Sequence, residues 1–280
     1  MTYIVHGATG AQGAPVLSAL LSAGLPARAA VRDTSKLTDV DAVSIDVGSV
    51  DSLVAAYEGA EGVFVHLPIG SPDDQRRYAL AIGEAIRRAQ PARVVFSTSG
   101  YSIDPAADGE DAPNVLAREI AASGVSYAIV EPRLYLENLL LPPMLAAARE
   151  GTLPYPLRDD YVTSWSSHLD VADVVVRLLT SRATTGIVSV GALPGLVGAD
   201  LAAGFAGYFG HEVTYEAISP QTMGEMIEPL FGSDSTAPIV ASYAHRDTQT
   251  GEEIPEARSA QALLGTRVRS VEEWLRAMAV

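Results

Sequence analysis

Three glycines spaced three residues apart follow a short apolar segment at the start of the chain, and this motif constrains the fold more than any other feature. Residues 3–13 read YIVHGATGAQG, and the helix-like segment Ala14–Ala23 comes directly after. In a strand–loop–helix unit, Gly7 permits a tight turn, Gly10 lets the backbone approach a pyrophosphate, and Gly13 lets the helix pack on the strand. A plain strand-to-helix turn also uses glycine, but the flanking strand and helix favour a dinucleotide site. The candidate cofactor-binding residues here are Gly7, Thr9, Gly10, Ala11, Gln12 and Gly13.

Cations follow the second predicted strand, Ala27–Val31. In such a fold this strand ends at the adenosine ribose, where an acidic residue accepts from the 2′-hydroxyl of NAD and a cation accommodates the 2′-phosphate of NADP. Arg32 comes first and Lys36, the only lysine of the 280 residues, follows in a chain of net charge −15. This pair favours NADPH as the cofactor. Asp33 leaves NAD open, and a solvated loop of mixed charge is the alternative without a role.

Strand-like and helix-like segments alternate through the first half of the chain, which is typical of a parallel sheet covered on both faces. The regularity ends at Pro132, after which a strand at Ile187–Val190 is predicted to return to the sheet. We therefore expect an α/β fold: a doubly wound parallel Rossmann sheet in residues 1–138 and a smaller C-terminal substrate-binding lobe in residues 139–280. The other predicted strands are Val43–Asp46, Gly62–Leu67, Ala92–Ser97 and Ser126–Val130, and the predicted helices include Val50–Tyr57, Asp73–Arg88, Ala112–Ser123 and Val171–Leu179.

Composition excludes several classes of function. The 34 acidic residues outnumber the 19 Lys and Arg, so there is no basic stripe to neutralise the phosphates of a nucleic acid. The chain has no cysteine, which rules out disulfides and thiolate chemistry. Its start leads directly into the first strand, and no apolar run approaches the roughly 18 residues of a membrane helix. We expect a cytoplasmic protein without a membrane or nucleic-acid partner.

Four segments in order resemble the NmrA-like group of atypical short-chain dehydrogenases/reductases over nearly the whole chain. They are Val5–Gly13, Ala30–Asp33, Tyr135–Leu139 and His168–Val174. The resemblance implies a Rossmann fold and, in similar members, NADPH-dependent reduction of quinones, dyes or phenylpropanoids. Other members bind the cofactor as sensors without turnover, so the resemblance leaves both roles open.

Typical short-chain reductases pair a Tyr with a Lys four residues later, and the ammonium lowers the phenol pKa from about 10. None of the 11 tyrosines here has Lys at that offset. The single Lys36 is assigned to the adenosine end of the cofactor. Lysine-assisted acid catalysis is therefore excluded by the sequence.

The remaining candidate residues follow predicted strands, because ligands of open α/β sheets bind at the carboxyl ends of strands. Asp46 and Val47 after the third strand and His66, Leu67 and Pro68 after the fourth are candidate cofactor-binding residues, as is Ser97. A structural, hydrogen-bonded histidine is the alternative at His66. His168 is expected to anchor the substrate lobe onto the sheet.

Ser97, Ser99 and Tyr101, after the fifth strand, are candidate catalytic residues. The serine hydroxyls could hold a substrate carbonyl, and Tyr101 could donate a proton. The alternatives are backbone capping by the serines and packing of the tyrosine in a substrate wall. The candidate substrate-pocket residues are Tyr101, Tyr135, Asn138 and Trp165, with Trp165 as a lid.

These features predict an NADPH-dependent reductase whose acceptor is a quinone, an enone or a similar conjugated carbonyl or imine, since hydride addition then needs little acid help. A ketone or imine reductase that uses Tyr101 as its acid is a variant. The competing hypothesis is a non-catalytic NADP(H) redox sensor, and a third is a dehydration or cyclisation with a structural nucleotide. No histidine spacing indicates a metal site. The expected partner is a small-molecule substrate, and the sequence leaves a homodimer open.

Overall fold

The computed structural model describes residues 2–104 and 109–280, apart from the side chain of Lys36. Its chain forms two compact units, each made of separate segments. Unit 1 comprises Met1–Pro132, His168–Val190 and Ala257–Thr266, and unit 2 comprises Arg133–Ser167, Gly191–Glu256 and Arg267–Val280. The expected boundary after residue 138 lies within the first segment of unit 2.

Unit 1 is built on a seven-stranded sheet in which every neighbouring pair is parallel. The strand order is β3-β2-β1-β4-β5-β6-β9, so the direction of winding reverses between β1 and β4. This is the expected doubly wound Rossmann arrangement, and the fold prediction is confirmed. The eleven strands of the described residues are β1 (Tyr3–His6), β2 (Ala27–Val31), β3 (Ala42–Ser44), β4 (Gly62–His66), β5 (Val94–Ser97), β6 (Tyr127–Pro132), β7 (Thr152–Tyr155), β8 (Val162–Thr163), β9 (Gly186–Val190), β10 (Thr214–Ala217) and β11 (Gly251–Glu252).

Helices cover the sheet and are the main regular elements of unit 2. Short 3-10 turns occur at Thr34–Lys36, Leu136–Leu140 and Glu256–Arg258. The eleven α-helices of the described residues are α1 (Gly13–Ser22), α2 (Val50–Tyr57), α3 (Pro72–Ala89), α4 (Ala112–Ala122), α5 (Pro142–Arg149), α6 (His168–Thr180), α7 (Gly198–Phe209), α8 (Pro220–Phe231), α9 (Ser233–Arg246), α10 (Ala260–Leu264) and α11 (Val271–Met278). Among the described residues, no helix has the length and apolarity needed to cross a membrane.

The core of unit 1 lies on both faces of the sheet, which explains its continuously apolar strands. Val63, Phe64 and Val65 of β4 are fully buried, and β5 is buried throughout. Beneath the start of β5, the buried guanidinium of Arg93 donates to the carbonyl of Leu178 at 2.9 Å, to that of Thr184 at 2.5 Å and to the Ser126 hydroxyl at 2.8 Å. Arg93 therefore ties the last turn of α6 to the amino end of the sheet.

Unit 2 contains two small parallel sheets, β7 with β10 and β8 with β11. Helix α11 packs on α7, where a Cβ added to Gly204 would lie 2.4 Å from Cβ of Val271. The indole of Trp274, fully buried on α11, donates to Oε1 of Glu137 at 3.1 Å. These contacts give unit 2 a core of its own.

Candidate active site

The loop between β1 and α1, residues 7–13, is called here the glycine loop. Gly7 has φ of +58°, and a Cβ added there would lie 2.4 Å from Nε2 of His66. A Cβ on Gly13 would lie 2.3 Å from the Gly7 carbonyl oxygen, whereas one on Gly10 would lie at 3.3 Å from that atom. Gly7 and Gly13 are thus required by packing, and Gly10 keeps the surface of the loop low enough for a ligand to approach.

Helix α1 begins without the side-chain cap that the next three helices along the chain have. Ser49, Ser71 and Asp111 accept hydrogen bonds from the first turns of α2, α3 and α4. Gln12, at the corresponding position of α1, makes no such bond, and the first turn of α1 carries no acidic residue. The amide groups at this helix end and the positive end of the helix dipole can therefore bind an anion. The arrangement fits a pyrophosphate.

His66 ends β4, beside β1 and at the point where the winding of the sheet reverses. Its Nδ1 lies 3.3 Å from the Leu67 carbonyl oxygen, and its buried Nε2 makes no hydrogen bond of normal geometry to a described residue. Burial lowers the pKa of His66, and contacts with the backbone of Leu67 and His6 offset part of this decrease. A buried polar atom facing Gly7 fits a ligand in the glycine loop. Pro68 follows, and its carbonyl accepts from Gln75 Nε2 at 3.1 Å.

The residues after β2 and β3 lie at the same edge of the sheet. The Asp33 carboxylate accepts from the Ser35 amide at 3.0 Å and from the Ser35 hydroxyl at 2.6 Å. The carboxylate that would accept a hydrogen bond from the 2′-hydroxyl of NAD is therefore already hydrogen-bonded to Ser35. Arg32 is exposed and forms no ion pair within the described part of the chain. The side chain of Lys36 lies outside the described residues.

Asp46 and Val47 follow β3 as expected from the sequence. Asp46 is exposed, and its Oδ1 accepts from the Gly48 amide at 2.8 Å. Val47 is half-buried and packs on the core cluster of unit 1. Both remain predicted cofactor contacts.

Residues 97–101, which follow and include the end of β5, are called the serine loop. Ser97 is fully buried and donates to Oε1 of Gln12 at 2.8 Å, while Nε2 of Gln12 donates to the Ser99 hydroxyl at 2.9 Å. Ser99 has φ of +60°, which costs on the order of 1–3 kcal/mol for a residue other than glycine. The sequence predicts that Gln12 and the serines lie at the same edge of the sheet. It gives no signal for this bridge, because Gln12 is 85 positions from Ser97 and 87 positions from Ser99.

Tyr101 is 59% exposed and lines an open groove of about 460 Å³ at the first turns of α3 and α4. The groove also contains Gln75, and residues 105–108 of the adjoining segment lie outside the described residues. Ion-paired Arg76 and Glu110 stand at its wall. Within unit 1 the Tyr101 ring therefore faces solvent, and its role as proton donor stays a prediction.

The predicted substrate residues of unit 2 surround two tyrosines that the sequence analysis did not single out. Trp165 is 2% exposed and packs edge-on against Tyr155, with ring centroids 5.3 Å apart. Such burial corrects the expectation of a lid, since the indole cannot swing without unpacking the core of unit 2. The hydroxyls of Tyr155 and Tyr243 contact each other, and the side chain of Asn138 acts to lower the pKa of both. Trp165, Tyr155 and Tyr243, together with Asn138, are called the aromatic cluster.

Burial raises the pKa of both tyrosines of the aromatic cluster, so their hydroxyls stay protonated. Tyr135 lies nearby in the chain, is half-buried and pairs with Ser166 in an isolated β-bridge. No sequence signal identified Tyr155 or Tyr243, because buried tyrosines have no short motif. Spacing cannot pair two residues 88 positions apart.

Two further histidines of unit 1 are uncharged near neutral pH. Burial lowers the pKa of His6 to about 3 and that of His168 to about 4, and the repulsion that a protonated His66 would exert contributes in both cases. His6 Nε2 lies 2.7 Å from the Tyr57 hydroxyl. His168 is the first residue of α6, three residues before the predicted start. Among the described residues, no group of three or more potential ligands could hold a metal ion.

Comparison of the sequence with known proteins gives two matches that cover most of the chain. The model of the NmrA-like family matches residues 1–275. An NAD(P)H azoreductase from Xenophilus azovorans is 31% identical over an alignment of 230 residues, and the match covers 77% of this chain and 77% of the azoreductase.

Comparison of the fold identifies solved structures that cover the full length. Citrobacter sp. triphenylmethane reductase complexed with NADP(H) has a TM-score of 0.80 at 17% identity and covers 99% of this chain and 100% of its own. An NADPH-dependent quinone oxidoreductase from Escherichia coli, complexed with NADPH, has a TM-score of 0.74 at 19% identity and covers both chains completely. The chain shares the fold of these proteins.

Proposed function

Because the chain belongs to the NmrA-like family, we propose that it is an NADPH-dependent reductase that transfers hydride to a conjugated acceptor, such as a quinone, an enone or a related carbonyl or imine. The observation that carries the proposal is the uncapped start of α1 after the glycine loop, together with the buried Nε2 of His66 beside Gly7 of that loop. The 31% identity to an NAD(P)H azoreductase supports the reaction class.

The cofactor supplies the hydride when it is bound, and the residues of unit 1 would hold it. The amides at the start of α1 would bind the pyrophosphate, and Gly10 leaves it room. Arg32, exposed after β2, would bind the 2′-phosphate. His66 is neutral, so its Nε2 can accept a hydrogen bond from a ribose hydroxyl if Nδ1 carries the proton, or donate one in the other tautomer.

The acceptor is inferred from what the chain lacks. Without a Tyr–Lys pair, no ammonium prepares a phenol to donate a proton near neutral pH. A conjugated acceptor reduces that need, because the added electron pair is delocalised over the product. Ser99, half-exposed in the serine loop, could polarise the acceptor by donating a hydrogen bond. Orientation of the reactants would supply most of the remaining rate enhancement.

A stopped-flow measurement of NADPH oxidation tests this function directly. The purified protein is mixed with NADPH and with menadione, an enone, an azo dye or a cationic triphenylmethane dye. We expect at least one acceptor to be reduced faster than in the absence of protein, with Arg32→Ala raising the NADPH concentration required. The missing Tyr–Lys pair is equally compatible with a redox sensor. Tight NADPH binding without consumption across all acceptors would favour that alternative over the proposal.

A further inference from the structure

The side chain of Gln12 points away from its own helix and toward the serine loop. At the start of α1 it makes no capping bond, although it occupies the capping position. Its amide instead bridges two hydroxyls, with Oε1 at 2.8 Å from Ser97 and Nε2 at 2.9 Å from Ser99. The cofactor loop and the serine loop are therefore joined by one side chain.

These hydrogen bonds form a directed chain. The Ser99 amide donates to the Ser97 hydroxyl oxygen at 3.4 Å, Ser97 donates its proton to Gln12, and Gln12 donates to the Ser99 hydroxyl oxygen. A flipped Gln12 amide would leave the buried Ser97 proton without an acceptor among the described residues, which is unfavourable. The direction of the chain is thus fixed by the burial of Ser97.

This direction distinguishes the two serines that the sequence treats alike. The single proton of Ser97 is used within the chain of hydrogen bonds, whereas the oxygen of Ser99 accepts and its own proton points elsewhere. Ser97 is fully buried, but Ser99 is half-exposed. Of the two serines, therefore, only Ser99 keeps a hydroxyl proton with which to donate to a ligand.

The bridge also explains how Ser99 holds an unusual backbone conformation. Its φ of +60° lies in the left-handed region, where side chains other than glycine are strained. The strain persists only where surrounding contacts impose it. The bond from Gln12 and the bond from its own amide to Ser97 are two such contacts.

We propose that Gln12 is a positioning residue. It orients the Ser99 hydroxyl so that this hydroxyl donates a hydrogen bond to the substrate that receives the hydride. This inference rests on the proposed function, because it assigns a reacting partner to Ser99. It also limits the role of Gln12 in cofactor binding to its backbone, since the side chain is engaged by the serines.

Single-turnover kinetics test the assignment with Gln12→Met, which keeps the length of the side chain and removes both hydrogen bonds. The NADPH-loaded variants Gln12→Met, Ser99→Ala and the double variant are mixed with menadione. We expect each single variant to slow NADPH oxidation by about tenfold or more, and the double variant to add less than about twofold. The NADPH dissociation constant of Gln12→Met should change by less than about threefold. Additive slowing would overturn the inference.

Hydrogen exchange of residues 97–104 provides a measurement that does not depend on turnover. Gln12→Met should accelerate exchange of this peptide by about tenfold or more. The matched control is Gln90→Met, because Gln90 also uses its amide for two hydrogen bonds, to the Arg87 and Ser123 carbonyls, at the opposite end of β5. It should leave the peptide and the hydride-transfer rate unchanged.

The outcomes separate this inference from the proposed function. If the native protein oxidises no NADPH with any acceptor, the proposed function fails. Hydrogen exchange of residues 97–104 then decides by itself whether Gln12 holds the serine loop in place. If the native protein is active but exchange of residues 97–104 is unchanged in Gln12→Met, the inference fails and the function stands. Should Gln12→Met not fold, Gln12→Asn, which is too short to reach both serines, replaces it.

Discussion

The glycine loop of unit 1 and the aromatic cluster of unit 2 each depend on a different kind of contact. The glycine loop is made of backbone, and its close approach between Gly13 and the Gly7 carbonyl leaves no space for a Cβ. The aromatic cluster is made of side chains, with Tyr155 packed against Trp165 and Tyr243. The first should fail when atoms are added, and the second when atoms are removed.

Truncation within the aromatic cluster should have the largest effect on stability. Trp165→Ala removes an indole that is 2% exposed, and loss of such a ring costs about 3–5 kcal/mol. Chemical denaturation would measure the change, with Trp165→Phe expected to lose clearly less. A loss below about 1 kcal/mol for Trp165→Ala would mean that the cluster is not packed as the structure shows.

Enlargement within the glycine loop should be the next most damaging change. Gly13→Ala places a Cβ 2.3 Å from the Gly7 carbonyl oxygen, so the loop must move, at a cost of about 1–3 kcal/mol. We also expect NADPH binding to be lost in a fluorescence titration. Gly10→Ala is the matched comparison, because its Cβ would meet the same oxygen only at 3.3 Å. Equal destabilisation by both variants would contradict the packing argument.

A change at the adenosine end should alter selectivity without altering the loop. Arg32→Ala removes a cation that would bind the 2′-phosphate, which weakens NADPH binding by about 1.5–3 kcal/mol and NADH binding much less. Titration of both cofactors measures the difference. An equal loss for NADH and NADPH would show that Arg32 has no contact with the phosphate.

The smallest expected effect concerns the pH dependence of unit 1. The lowered pKa of His168, about 4 against 6.5, means that the unfolded state binds a proton between these values and the folded state does not. His168 therefore costs stability that is absent above pH 6.5 and grows as the pH falls toward 4. Unfolding at pH 7 and pH 5.5 should show that His168→Gln loses about 1 kcal/mol less than the native protein on acidification. An identical loss in both proteins would contradict this assignment.

The difference between the two regions also explains what the sequence could predict. The strands and the glycine loop follow from local patterns, since apolar runs bounded by turns and glycines at fixed spacing act within a dozen residues. The α2 prediction, Val50–Tyr57, matches the structure at both ends. Helix α6 begins at His168 rather than Val171, because the predicted helix was confined to the apolar run.

Contacts between distant parts of the chain could not be predicted in this way. The bridge from Gln12 to Ser97 and the buried role of Arg93 both depend on which strands become neighbours. A single sequence does not contain that information in its spacing. The same limit applies to the burial of Trp165, which packs against Tyr155 at the end of β7, itself in contact with the distant Tyr243. Local chemistry was therefore predictable, and its side-chain partners were not.

The segmented path of the chain constrains how such a protein can change over evolution. The segments His168–Val190 and Ala257–Thr266 return to unit 1 after the chain has entered unit 2. Helix α6 packs against α1 and β4–β6, and β9 pairs with β6. A gene fusion that replaced everything after residue 132 would therefore remove one strand of the sheet and the helix that covers it. Point substitutions within the segments of unit 2 would instead leave every strand of that sheet in place.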